Sequence, residues 1–257
     1  LIQYFKEGKM DFDAIVLAGP GKEDWLAQEG VSNKSLLPID GRPMVEYVLQ
    51  ALKGSRFLKN LILVADFPLS EGLKPLVDKY VPAGDTMEEN IERGVLETSS
   101  PLVAIMGSDI PFISSETIDR VISLCSSYPA SLYLPVIRRE DIERIFPGSQ
   151  RTYARLKEGE VKAGNIFLFK RENWHTVEGF LSKVVAGRKQ LWKLAAILGW
   201  KYVLKFLLGK LSVEELENVV ARETSLPVKA FLMDAPDLGV DVDKLDDLIL
   251  ARAVLEK

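Results

Sequence analysis

The sequence predicts an α/β fold, a Rossmann-like three-layer sandwich with a mostly parallel central sheet and a helical insertion, on three observations. Short continuous apolar runs recur, each stops at a glycine-containing or acidic loop, and each is followed by a segment of helical periodicity. An apolar run without alternation is a strand buried on both faces, as a parallel sheet with helices on both sides requires. Ligands on such sheets bind beyond the carboxyl ends of the strands.

The elements follow in order. Ala14 to Ala18 reads as the first strand, ended by Gly19-Pro20-Gly21, and the loop after it runs to about Leu37. Asp40-Gly41-Arg42-Pro43 is a turn leading into a helix over Met44 to Leu52, and Leu61 to Ala65 is the second strand. Thr86, with Glu89 three residues on, opens the next helix as a capping box. Leu102 to Met106 is the third strand, stopped by Gly107-Ser108-Asp109, and Ser114 or Ser115 caps a helix that runs through Cys125.

After Ser131 the simple repeat ends. Leu132 to Ile137 and Gly164 to Phe169 read as strands joined by a charged, turn-rich segment, Arg138 to Lys162. Residues 174–223 read as a helical insertion, with Leu191, Leu194, Ala195, Leu198, Val203, Phe206 and Leu207 at helical spacing. Val228 to Met233 and Val240 to Val242 read as short strands, and Leu245 to Leu255 as a closing helix. The first nine residues have no sustained period, so residues 1–12 are read as a leader of appended or misannotated sequence, with Met10 as a start; residues 13–257 are read as one domain.

Composition narrows the chemistry. Thirty-three Lys and Arg against 37 Asp and Glu give a net charge of -4, which argues against a nucleic-acid partner. With one cysteine and one histidine, His175, the inventory excludes an internal disulfide, a Ser-His-Asp triad and a multi-histidine metal site. Cys125 reads as a small buried side chain. No stretch reaches a membrane span or a signal peptide, so the expected location is cytoplasmic.

The remaining candidates are glycines, lysines and carboxylates. Gly19 and Gly21 allow backbone N–H groups to approach a ligand, in a loop that also carries Lys22 and Lys34. Asp109 at a strand end is a hard oxygen donor suited to Mg²⁺, with a turn or cap residue as the plain alternative. Asp241 and Asp243, two apart on an expected strand, would face one side together; helix capping is their alternative and fits Asp243 better. A phosphate cradle, a cation at the phosphorus and a metal held by oxygen are what nucleotide transfer from an NTP needs.

These pieces resemble the MobA-like NTP transferase family, related to sugar-nucleotide pyrophosphorylases and to the cytidylyltransferases of isoprenoid synthesis. The resemblance rests on Ala14 to Gly19, on Asn33-Lys34-Ser35-Leu36-Leu37-Pro38 with Gly41-Arg42-Pro43-Met44, on Gly107 to Pro111, and on Gly239 to Asp243 with Asp246-Asp247-Leu248. It covers residues 13–137 well, and 163–169 and 228–255 in outline. It implies a fold of the nucleotide-diphospho-sugar transferase type. It also implies base contacts from the backbone of Leu17, Ala18 and Gly19 and from the helix opening at Thr86 and Asn90, Lys34 at the α-phosphate, Mg²⁺ on Asp109 and Asp241, and Asn165 facing the acceptor. Two departures stand out: Pro20 occupies the place of the family's second glycine, and no arginine lies between Gly21 and Lys34, so Lys22 takes the role of loop cation.

The implied activity is nucleotidyl transfer from an NTP to a small, anionic acceptor with release of pyrophosphate. The alternatives are a nucleotide-sugar-dependent glycosyltransferase and a non-catalytic nucleotide-binding regulator. Arg151 and Arg155, in a basic cluster around Tyr153, are candidates for holding the acceptor, set against a solvated charged face with interleaved Glu140, Glu143, Glu158 and Glu160. Trp174, Trp192, Trp200 and Tyr202 lie among lysines in the insertion. Packing against the main domain, or a homodimer through the insertion, is the expected use; a membrane partner is not expected.

Overall fold

The computed structural model describes residues 10–20, 24–187 and 199–256. Residues 1–9 of the expected leader, Gly21, Lys22 and the insertion residues Leu191, Trp192, Leu194, Ala195 and Leu198 lie outside the described residues.

Strand β1 (Phe12–Ala18) lies at the centre of the sheet, between β4 (Leu58–Ala65) and β6 (Leu102–Gly107), parallel to both. Strand β5 (Lys79–Pro82), which the sequence did not announce, continues the parallel set beyond β4. On the other side β10 (Ile166–Lys170) runs antiparallel to β6 and to β7 (Leu132–Arg138), and β11 (Val228–Leu232) pairs parallel with β7. A hairpin of β8 (Ala154–Leu156) and β9 (Gly159–Ala163) extends the far half of β7.

Both faces of β1 are covered. Ala14 and Val16 join a core with α1 (Met44–Lys53) and α3 (Ser115–Ser127), through Val45, Val48, Leu49, Ile118 and Val121. Ile15 joins a separate core with α2 (Met87–Leu96) and α5 (Trp174–Gly187), through Ile91, Val95, Trp174 and Val177. Period-two alternation on a doubly covered strand therefore appears in the sequence as an uninterrupted apolar run. Cys125 is fully buried in the first of these cores.

The charged segment after β7 is more ordered than its turn-rich sequence indicates: α4 (Arg139–Ile145) precedes the β8–β9 hairpin. The expected turn at Asp40 and Gly41 closes a two-residue-stranded hairpin, β2 (Pro38–Ile39) with β3 (Arg42–Pro43), and both turn residues have positive φ. Val240 to Val242 do not form the expected strand; both valines are fully buried, and Val242 N–H donates to the Asp109 carbonyl at 2.8 Å. Apolar anchoring of an extended segment produced the strand-like alternation.

The insertion is helical where described, in α5, α6 (Trp200–Leu207) and α7 (Val213–Thr224). Trp174 is buried as expected, but Trp200 is 74% exposed. The chain closes with α8 (Leu245–Leu255), whose Leu248 and Ala251 pack with Leu26, Leu37, Ile39 and Met44 under the long first loop. Among the described residues no helix is long and apolar enough to cross a membrane.

Asp13, fully buried at the start of β1, accepts from Ser99 N–H at 2.5 Å, Ser100 N–H at 2.8 Å, Ser100 Oγ at 2.7 Å and Asn60 Nδ2 at 2.8 Å. Burial opposes its charge, but these donors outweigh burial and hold the carboxyl below its ordinary value. Because the folded-state pKa is depressed, the stabilisation is complete above the ordinary value of 3.8 and is lost as pH falls through the lower folded value. Asp13→Asn is expected to cost about 2–3 kcal/mol in urea unfolding at neutral pH, with the gap to the unmodified chain closing in strong acid.

Candidate active site

The carboxyl ends of β1 and β6 open into a cleft of about 470 Å³. Its lining includes Leu17, Gly19, Lys34, Thr86, Asn90, Asp109 and Asn165, residues the sequence had singled out from separate motifs. The parallel pairing of β1 with β6 places two of these motifs side by side, since Leu17 is the register partner of Gly107.

The first loop is stapled to its strand by Asn33, a residue that the sequence reading quoted only as part of a motif. Buried at 2% exposure, it donates from Nδ2 to the carbonyls of Ala18 and Gly19, each at 3.0 Å, and to Asp66 Oδ1 at 2.5 Å. Its Oδ1 accepts from Ser35 N–H at 2.7 Å and so caps the single 3-10 turn Lys34–Leu36. Ser35 Oγ then meets Ser108 Oγ at 2.7 Å, fastening that turn to the end of β6.

Lys34 projects from this turn into an acidic pair. Its ammonium donates to Asp109 Oδ2 at 2.7 Å and to Asp243 Oδ1 at 3.0 Å. Burial disfavours the charge on Lys34, but the Asp109 carboxylate, and then Asp243, outweigh it and lift the lysine above its ordinary range. Asp109 can fold towards Lys34 because position 107 is glycine: a Cβ there would lie 2.4 Å from Asp109 Oδ1. Gly19 has a like role, for a Cβ on it would lie 2.8 Å from Asn90 Nδ2. Asn90 Oδ1 in turn accepts from Gly84 N–H at 2.6 Å, fixing the amide at the helix opening, where Thr86 caps α2 through Glu89 N–H at 3.2 Å.

Asp241 and Asp243 take different partners. Asp241 accepts from Lys162 Nζ at 2.8 Å and lies 3.9 Å from Arg151 Nη1. Burial would raise its carboxyl, but Lys162 and then Arg151 hold it below the ordinary range. Buried Val240 and Val242 alternate with half-buried Asp241 and exposed Asp243, and burial, with the nearby Asp241 and Asp109 charges, raises the Asp243 carboxyl above its ordinary value despite Lys34. Nor does either cap α8 with its side chain: Asp247 Oδ2 accepts from the N–H groups of Asp243 at 3.0 Å and Lys244 at 3.2 Å.

Of the expected acceptor residues, Asn165 lies in the cleft wall, its Nδ2 donating to the Leu238 carbonyl at 3.0 Å. Arg151 and Arg155 are absent from the cleft lining. The Arg151 side chain is 4% exposed and pairs with Asp247 at 2.9 Å, whereas Arg155 sits on β8 beside Gly209. Other members of the basic cluster pair with acidic neighbours: Arg139 with Glu143 and Glu160, and Arg144 with Asp234.

The profile of the MobA-like NTP transferase domain matches residues 14–197, most of the chain. The chain belongs to the MobA-like NTP transferase family. A solved structure described as a hypothetical transferase from Thermus thermophilus is 37% identical, with a TM-score of 0.83 over 93% of this chain and 100% of that one. A 2-C-methyl-D-erythritol 4-phosphate cytidylyltransferase from Clostridium botulinum is 31% identical over 46% of this chain and 55% of its own. A probable molybdenum cofactor guanylyltransferase from Methanosarcina acetivorans is also 31% identical over 46% of this chain and 55% of its own. The match therefore spans about half the length of these curated relatives.

Removing the staple should loosen the loop while leaving the sheet intact. Asn33→Ala is expected to lose about 1–3 kcal/mol of stability by thermal or urea unfolding, because two strand-end carbonyls and the cap lose their partner.

Proposed function

We propose that this chain transfers a nucleoside monophosphate unit from an NTP to a small, anionic acceptor, releasing pyrophosphate in a Mg²⁺-dependent reaction. The observation that carries the proposal is the convergence of Lys34, Asp109 and Asp243 at the edge of a cleft that begins at the glycine end of β1.

The donor set suits Mg²⁺. Two carboxylates share one ammonium, so they are close enough to attract a common cation, and both offer hard oxygens. Among the described residues no group of three or more His, Cys, Asp or Glu side chains gathers as a cation cage. Mg²⁺ is commonly held by one or two carboxylates with water and phosphate oxygens completing its shell, so Asp109 and Asp243 suffice. We take Asp243 rather than Asp241 as the second ligand, because Asp243 shares the Lys34 ammonium with Asp109 whereas Asp241 pairs with Lys162 and Arg151 instead. Bound there, the ion would supply positive charge to the triphosphate.

The chain's own groups account for the remaining requirements. The backbone at Leu17 to Gly19 and the fixed amide of Asn90 offer a hydrogen-bonding edge to the base. Lys34, drawn from its carboxylates towards the α-phosphate, would stabilise negative charge gained there as the acceptor oxygen attacks and pyrophosphate leaves. Lys22 would add charge from the same loop, and Asn165 would orient the acceptor from the cleft wall.

Pyrophosphate release assayed across the four NTPs, with pooled small phosphorylated and carboxylated acceptors, tests the activity; no release with any nucleotide would reject it. Lys34→Ala is expected to lower kcat by about 10²–10³-fold while leaving the unfolding midpoint nearly unchanged, the usual loss for one transition-state donor. Chelation with EDTA should abolish turnover and added Mg²⁺ restore it. Asp243→Asn should raise the Mg²⁺ concentration required far more than Asp241→Asn does, and the reverse order would return the metal to Asp241.

A further inference from the structure

The helix α6 keeps one face against the body of the protein and turns an apolar face outwards. Tyr202 packs against the cluster of Val136, Leu156, Val161 and Leu211, and Lys205 pairs with Glu215 on α7. Trp200, Leu204, Leu207 and Leu208, spaced i, i+4, i+7 and i+8, are 74%, 60%, 69% and 59% exposed. That spacing puts large apolar side chains on a single stripe, unlike the scattered exposed leucines of an ordinary surface. Lys201 and Lys210, both exposed, flank it.

The charge around the stripe points to what it meets. From residue 199 to 213 the chain carries three Lys and no Asp or Glu, although its net charge is -4. A second copy docked about a two-fold axis would bring two such basic stretches together, which disfavours a homodimer through this face. An apolar stripe with lysines at its margins matches the headgroup layer of an anionic bilayer, where leucine and tryptophan enter the acyl boundary and lysines remain among the phosphates. We propose that α6 docks on an anionic lipid surface and holds the protein there. The sequence-based expectation of no membrane partner assumed that the aromatic residues of the insertion were packed inside, which Trp200 is not.

Co-sedimentation of the purified full chain with vesicles tests this directly. Binding is expected to vesicles of phosphatidylcholine mixed with phosphatidylglycerol, to fall in high salt, and to be weak with phosphatidylcholine alone. The paired variants L204S/L207S and K201E/K210E should each weaken binding by at least about tenfold, with unchanged unfolding curves because these positions are exposed. Absence of binding to the anionic vesicles, equal binding to both compositions, or full retention of binding by K201E/K210E would overturn the proposal. So would a dimer in solution that L204S/L207S converts to monomers, which would assign the stripe to a second copy. None of these readouts depends on turnover, so this proposal and the proposed activity stand or fall separately.

Discussion

One ammonium group joins three distant stretches of this chain. Lys34 lies 75 residues from Asp109 and 209 from Asp243, yet reaches both within hydrogen-bonding distance. A partly buried ion cluster pays for desolvation and persists only when its geometry is imposed from outside. Here the imposition comes from neutral contacts: the Asn33 cap, the Ser35–Ser108 hydroxyl pair and the Val242 N–H bond to the Asp109 carbonyl. These fix the backbone on each side, so that the charges meet without having to organise the loops themselves.

The arrangement also relates two kinds of cation. In the proposed reaction a divalent ion would take over the charge balance that the Lys34 ammonium provides between its two carboxylates. Ion pairing at Lys34 keeps the acidic pair compensated. Asp241 does not share in this pairing, since Lys162 and Arg151 already hold it and Arg151 is itself tied to Asp247 at the start of α8. Two aspartates only two residues apart therefore tie the closing segment to different places, Asp243 to Lys34 in the first loop and Asp241 to Lys162 on β9.

Much of the fold was legible because burial on both faces writes strands as plain apolar runs: Ala14 to Ala18, Leu61 to Ala65 and Leu102 to Met106 fall within β1, β4 and β6. The helix start at Thr86 was equally plain, and the next was narrowed to Ser114 or Ser115, of which Ser114 is the cap, because a cap requires a side-chain oxygen at a fixed offset. Strand β5 was not legible: at the sheet edge, with a burial pattern alternating between intermediate and exposed, it has no apolar signature. Asn33 could have been noticed as a cap residue before a short turn, but its bonds to the Ala18 and Gly19 carbonyls depend on a loop closure that local pattern does not encode.

By itself the sequence determined the alternating strands and helices, the poverty of the chain in histidine and cysteine, and which glycines, lysines and carboxylates lie at strand ends. Those are local or compositional properties, and side-chain periodicity records them directly. Only the tertiary structure decided that Asp243 and not Asp241 meets Lys34, that Arg151 is spent inside the protein, and that Trp200 faces outwards. Each of these depends on which distant segment packs against which, and a pattern of residues along the chain carries no such information once the backbone leaves a regular period.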